Sequence, residues 1–300
     1  MRKHAYMIIA HNEEKILVKL LKLLDNVNND IYIHIDNKSK ELEEEKLKRC
    51  IKFSNVYFTK KLDVRWGDVS LTACELILLE TATSNNKYDY YHLISGVDLP
   101  IKSQKEIHDF FEKNKGYEFI HFSKKEYITN HIYERVKFYH FFIKGFKSKI
   151  KFYSYFCEKT HNLLLKFQKV LKINRISKKQ KVAYGSQWFS ITDALARYVI
   201  ENKKRILKRY KWTLCSDEMF LQTLVFESKF YKYIYKKSNF NSNLRYIDFE
   251  RGNPYTFCDE NFDEIMDSGC FFVRKLSTKN ISQEKLVNKI YKKLKKVEYD

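Results

Sequence analysis

Residues 91–101 read YHLISGVDLPI, and this stretch constrains the chain more than any other. An apolar run stops at Ser95-Gly96, and Asp98 and Pro100 follow at once. The pattern fits a buried strand that delivers a carboxylate to its carboxyl end, where open α/β sheets bind ligands. Pro100 is one of only two prolines in 300 residues, so the turn beside Gly96-Val97-Asp98 reads as rigid and specified. The same residues also suit an ordinary strand-to-helix turn in which Asp98 caps local amides.

Other segments repeat the theme. AYMIIAH (5–11) is an apolar run followed by EKILVKLLKLL, where Ile16, Leu17, Leu20, Leu21 and Leu24 recur at helical spacing. IYIHIDNKS (31–39) ends in His34 and Asp36 and precedes a charged helix, KELEEEKLKRCIKF. NVYFT (55–59) leads into RWGDVS and a helix over 71–83. After YYHLISG, Ser103 reads as the N-cap of KEIHDFFEK, and EFIHF then ends another strand. Repeated strand–helix–strand units predict a largely parallel sheet covered by helices on right-handed crossovers. Further along, GSQWFSIT reads as a strand before a helix over 193–207. A helix begins at 217, LRYIDF and GCFFVRK are strands, and EKLVNKIYKKLKKV is a basic terminal helix. Seven glycines leave little room for linkers, so the expectation is one domain carrying an insertion.

Charge matters because it is uneven. Residues 124–181 hold 16 Lys/Arg against 3 Asp/Glu, a net of +13 out of the chain's +20, together with 12 Phe/Tyr. Basic and aromatic residues together suit nucleic acid, an anionic membrane or an anionic substrate. No nucleic-acid-binding motif is present, but a nucleic-acid-binding protein stays open as the rival function. Six scattered cysteines form no C-x-x-C, which argues against a zinc ribbon or redox pair. The start, MRKHAYMIIAHNEEK, is too short in apolar residues for a signal sequence, and no run approaches a membrane span. The expected location is cytoplasmic. The C-terminal helix places Leu286, Ile290 and Leu294 on one side, so it and the insertion could hold the protein on an anionic membrane face; equally, the helix could pack on the domain.

Taken in order, AYMIIAH, IYIHIDNKS, RWGDVSLTACELILLE, YHLISGVDLPI, YGSQWF, CSDEMFL, LRYIDF and GCFFVRKL resemble the core-2/I-branching β-1,6-N-acetylglucosaminyltransferase family, which includes peptide xylosyltransferases. The likeness runs over roughly residues 4–276 and is greatest to the compact bacterial members. It implies a GT-A-like α/β fold with a Rossmann-like sheet. Residues 1–123 would be the nucleotide-binding half, 124–181 the insertion, 182–276 the acceptor and catalytic half, and 277–300 the terminal helix. It also implies an inverting transferase that moves a sugar, GlcNAc or xylose first among the choices, from a UDP-sugar to a hydroxyl of a glycan, lipid-linked or glycoconjugate acceptor. The metal-independent family needs no cofactor, and this chain has no Asp-x-Asp.

The chemistry requires a base for the acceptor hydroxyl and positive charge for the departing diphosphate. The family's Ser-Pro-Asp-Glu matches Cys215-Ser216-Asp217-Glu218, without the proline, and makes Glu218 the base. The same residues would also suit a helix cap and acidic first turn. The family's diphosphate lysine matches Lys275, and its arginine matches Arg245, with Arg251 in reserve. Arginine can grip two phosphate oxygens, whereas lysine acts as a point charge. Ala10, His11, Asp36, Trp66 and Asp98 are the expected nucleotide-pocket residues. Glu75, Arg135, Trp188 and Asp217 are expected on the acceptor side, although Trp188 suits the core equally well. A glycoside hydrolase is disfavoured, because the neighbouring Asp217 and Glu218 would not face one another across a bond.

Overall fold

The computed structural model describes residues 3–123, 130–176, 180–235 and 242–297. Residues 124–129 and 177–179 of the expected insertion and 298–300 of the expected terminal helix lie outside the described residues.

The first segment follows from its pattern. β1 (His4–Ala10) is buried along its whole length, and α1 (Glu14–Leu24) turns Ile16, Leu17, Leu20, Leu21, Leu23 and Leu24 inward. Each such side chain stabilises the fold by about 1.5–3 kcal/mol relative to exposure. β2 (Asn29–Ile35), β3 (Asn55–Phe58) and β4 (Tyr90–Ser95) complete a parallel core with β1. The charged segment before β3 forms only a short helix, α2 (Glu44–Lys48), in place of the longer one expected. α3 (Val69–Asn85) starts from Asp68, whose carboxylate accepts from the Ser70 N–H.

After the two-residue β5 (Leu99–Pro100), Ser103 and Glu106 form a reciprocal capping box at the start of α4 (Gln104–Lys113). That is the expected N-cap, now with its partner. β7 (Phe189–Thr192) pairs antiparallel with β4, and β6 (Phe119–Ile120) pairs antiparallel with β7, giving the order β3-β2-β1-β4-β7-β6. In a second sheet, β5-β9-β8, the central β9 (Phe272–Arg274) pairs antiparallel with β5 and parallel with β8 (Arg245–Ile247).

The insertion contributes α5 (Asn130–Lys137) and α6 (Lys151–Val170). The helix expected over 193–207 divides at Asn202 into α7 (Asp193–Glu201) and α8 (Lys203–Tyr210). Residues Ser216–Glu218 form a 3-10 turn ahead of α9 (Phe220–Phe226), and α10 (Phe262–Asp267) precedes β9. α11 (Ile281–Val297) seats Leu286, Val287, Ile290 and Leu294 in the core beneath α1, so this helix packs on the domain. One apolar core lies on the α1/α11 side of the sheet and a second on the α3/α7 side. The strand order reverses direction between β1 and β4, so their carboxyl ends open a crevice of the kind that binds ligands in such sheets.

Candidate active site

The crevice floor is backbone. Ala10 carbonyl accepts from Asp36 N–H (2.9 Å), and Gly96 N–H donates to Ile9 carbonyl (2.9 Å). A Cβ on Gly96 would come within 3.1 Å of the Ala10 methyl, so glycine lets the two strand ends close up. His11 stands exposed at the end of β1, and Asp36 is buried at the end of β2. Asp36 accepts from the Lys38 N–H (2.8 Å) and from its ammonium (3.1 Å). Packing around the His11 ring lowers its pKa; Asp36 opposes this, and Lys275, Lys38 and Arg274 reinforce it. Two strand-end residues and three cations thus share one electrostatic neighbourhood.

Arg274 and Lys275 reach it from the end of β9. Lys275 is exposed, and its pKa is pulled down by partial burial and then by Arg274 and Lys279, against Glu13. The Arg274 guanidinium lies 4.1 Å over the Trp188 ring and 3.8 Å from the Asp98 carboxylate. Asp98 in turn accepts from Ser95 N–H (2.8 Å) and Ser95 Oγ (2.6 Å). The YHLISGVDLPI turn therefore does what a capping Asp does and also braces a cation.

Glu218 belongs to a second cluster, built on the Ser216–Glu218 turn. Its 3-10 turn is fixed from three sides. Cys215 N–H donates to Gly67 carbonyl (2.8 Å), tying the turn to RWGDVS. Ser216 Oγ bonds Thr72 Oγ1 (2.7 Å) on α3, and Gly185 N–H donates to Glu218 carbonyl (2.9 Å) from the YGSQWF loop. Three of the sequence segments thus meet here. The Glu218 carboxylate, 31% exposed, accepts from Arg135 Nη1 (2.8 Å) on α5, and its charge is near enough to the Tyr184 hydroxyl to raise that group's pKa alongside burial.

Beneath it, Glu75 and Asp217 are buried and electrostatically opposed. Burial raises both carboxyls; Glu218 repulsion adds to it at Asp217, which reaches about 7, and Asp217 repulsion adds to it at Glu75. Glu75 accepts from Gln187 Nε2 (2.9 Å). Lys147 links the two clusters: it stacks on Trp66 at 3.8 Å and is in electrostatic range of both Lys275 and Cys215.

The structure corrects several expectations. Arg245 is 1% exposed and lies inside the sheet. Its guanidinium donates to Leu93 carbonyl (3.1 Å), Phe189 carbonyl (2.6 Å), Ser190 Oγ (2.7 Å) and Asn243 carbonyl, so it is committed to the core and removed from the diphosphate set. Arg251 is held at the surface by Asp248 and Glu264. Asp98 is too buried to line the pocket and faces Arg274. Trp188 is a platform whose face Arg274 covers, which resolves its role in favour of packing. Glu75 and Asp217 lie under Glu218 and are withdrawn from direct acceptor contact.

Of the remaining candidates, Ala10, His11 and Asp36 sit at the strand ends, Lys275 follows β9, Trp66 carries Lys147, and Arg135 pairs with Glu218. Arg274, Lys38, Lys147 and Tyr184 were missed. Arg274 had a signal, its place beside Lys275; nothing local distinguished Lys147 from the insertion's other lysines. Among the described residues, no group of three or more His, Cys, Asp or Glu side chains is arranged to hold a metal ion. No described helix is long and apolar enough to cross a membrane.

Fold and site together define an open α/β protein with cations gathered near its strand ends and one restrained carboxylate, linked to them through Lys147. The sequence profile of the Core-2/I-Branching enzyme family matches residues 4–267, and the chain belongs to that family. Xylosyltransferase 2 of Rattus norvegicus is 24% identical over 234 residues, covering 74% of this chain and 24% of the relative. Xylosyltransferase sqv-6 of Caenorhabditis briggsae is 24% identical over 226 residues, covering 72% and 25%. The chain thus spans about a quarter of the length of the curated relatives it matches. Among solved structures, mouse xyloside xylosyltransferase 1 aligns over 91% of this chain and 97% of its own, with TM-score 0.38 and 9% identity. S. aureus TarS aligns over 37% and 20%, with TM-score 0.28 and 14% identity.

Proposed function

We propose that the chain is an inverting glycosyltransferase of the GT-A type that transfers a sugar from a UDP-sugar to an acceptor hydroxyl without a metal. The observation that supports the reading is that Lys147 lies in electrostatic range both of Lys275, beside Arg274 at the end of β9, and of Cys215, in the turn that carries the Arg135-bound Glu218 carboxylate. The nucleotide lies over Ala10, His11 and Asp36, beside Trp66. The acceptor oxygen attacks the anomeric carbon from the face opposite UDP. Its proton passes to Glu218, the bond from the anomeric carbon to the phosphate oxygen breaks, and the pair of electrons leaves with UDP. Lys275 and Arg274 neutralise the charge that develops on the diphosphate. A single displacement inverts the anomeric centre.

Arg135 occupies Glu218 Oε2 and fixes the direction of the carboxylate, which a base needs before chemistry begins. The relatives named as xylosyltransferases support UDP-xylose as the first donor to test, beside UDP-N-acetylglucosamine. The acceptor is a glycan, lipid-linked precursor or glycoconjugate. Glu218→Gln keeps the shape and removes the base. Transfer by this variant, followed as UDP release with the donor that wild type uses, is expected to fall roughly 10²–10⁴-fold with little change in donor affinity. An unchanged rate would sink the assignment of Glu218.

A further inference from the structure

α6 is turned inside out relative to a helix on a soluble surface. The side facing the protein carries Cys157, His161 and Gln168, all buried. His161 Nδ1 bonds Phe141 carbonyl (2.9 Å), and Gln168 makes a reciprocal pair with the Tyr139 backbone, accepting at 2.7 Å and donating at 2.8 Å. Gly145 admits the Cys157 side chain, where a Cβ would collide with it. The opposite side carries Phe152, Phe156, Leu163, Phe167 and Val170, spaced by four, seven, four and three residues. That spacing makes one stripe on a 3.6-residue period. All five are exposed, Phe152 by 80% and Val170 by 78%. A helix normally buries such a stripe and gives its polar residues to water. Exposed contiguous apolar surface of this kind marks an interaction face.

Charge identifies the occupant. Residues 144–172 contain eight lysines and one acidic residue, Glu158, a net of +7 by subtraction. Lys159 and Lys166 adjoin the stripe on one side at helical spacing, and both are exposed. Two copies meeting through this face would bring two such segments together and repel. A nucleic acid would take the lysines and leave Leu163 and Val170 without partners. A bilayer rich in anionic lipid takes both: the apolar stripe enters the acyl boundary and the lysines stay among the headgroups.

We propose that α6 is a membrane-docking helix that holds the protein on an anionic lipid surface. The assignment moves this role from α11, whose apolar side is used up in the core. It also places the membrane next to the cleft, since Lys147, four residues before α6, covers Trp66. The proposal does not depend on the transferase reading.

The test is co-sedimentation of the full chain with vesicles of phosphatidylcholine containing about one-third phosphatidylglycerol, and with phosphatidylcholine alone. Binding is expected to the anionic vesicles, with loss at high salt. Phe152→Ser combined with Phe167→Ser changes only exposed positions, so the fold persists and is checked by circular dichroism. Partition of this variant is expected to fall at least about tenfold. Lys159→Glu with Lys166→Glu is expected to remove most of the preference for anionic lipid, each lysine being worth about fivefold near such a surface. Absence of vesicle binding, or binding untouched by the phenylalanine variant, overturns the proposal. So does lipid-free self-association in sedimentation velocity that the same variant abolishes, which would assign the stripe to a second copy.

Discussion

Asp98→Ala separates a bracing carboxylate from a ligand-binding one. Asp98 accepts two hydrogen bonds from Ser95, at 2.8 and 2.6 Å, and both are charge-assisted. Such bonds contribute about 1.5–3 kcal/mol each. Its carboxylate also lies 3.8 Å from the Arg274 guanidinium, which is worth about 4 kcal/mol at an effective dielectric constant near 20. Against these stands the cost of keeping the carboxylate ionised in the interior, seen in its raised pKa. Removing one member of a buried pair leaves the other uncompensated, so the net loss should be about 3–5 kcal/mol.

The assay is urea denaturation at neutral pH of wild type, Asp98→Ala, Arg274→Met and the double variant. If Asp98 works through Arg274, the double variant is more stable than additivity predicts by about 1–3 kcal/mol. UDP affinity should fall in both single variants. Additive effects within about 0.5 kcal/mol would refute the brace, and so would loss of UDP binding in Asp98→Ala while Arg274→Met binds normally.

Gly185→Ala should be damaging, because its Cβ would run into the His121 backbone, with the carbonyl carbon at 2.8 Å. Since Gly185 N–H holds the Glu218 carbonyl, the expected outcome is a lower kcat along with a lower melting temperature; a silent variant would contradict the packing. Glu118 is buried, and burial lifts its pKa from 4.5 to about 7 against two bonds from Thr192. Its folded pKa lies above the unfolded one, so its contribution to stability is complete below pH 4.5 and is lost as pH rises through 7. The swing is about 3 kcal/mol. Glu118→Gln should flatten that slope between pH 5 and 8 in denaturation curves, and an unchanged slope would refute it.

What the sequence revealed and what it hid have different physical origins. β1, β2 and α1 were legible because complete burial or a one-sided stripe is written into local spacing. Ser103 was legible because capping is a contact three residues long. The Glu218 turn was found through resemblance, and its environment could not be: Arg135 lies 83 residues away and Gly67 lies on another loop. Arg245 and Arg274 look alike in sequence, each an arginine at one end of a short apolar strand. Their fates differ because Arg245 meets carbonyls of β4 and β7 across the sheet, whereas Arg274 meets Asp98 and Trp188. β8 and β9 fall within the expected strands LRYIDF and GCFFVRK, but their pairing with the two-residue β5 in a separate sheet was not legible, because it joins segments far apart in the chain. α6 was recognisable as basic and aromatic; only tertiary packing tells which of its sides faces out.

The central claim is that fixed cations at the end of β9, in place of a metal, hold a nucleotide diphosphate. Thermal unfolding with UDP in the presence of EDTA tests it most directly, in wild type and in Lys275→Ala. At 100 times its dissociation constant, UDP should stabilise wild type by about 2.7 kcal/mol, and Lys275→Ala should lose most of that gain. Stabilisation that requires manganese, or that survives unchanged in Lys275→Ala, would contradict the account.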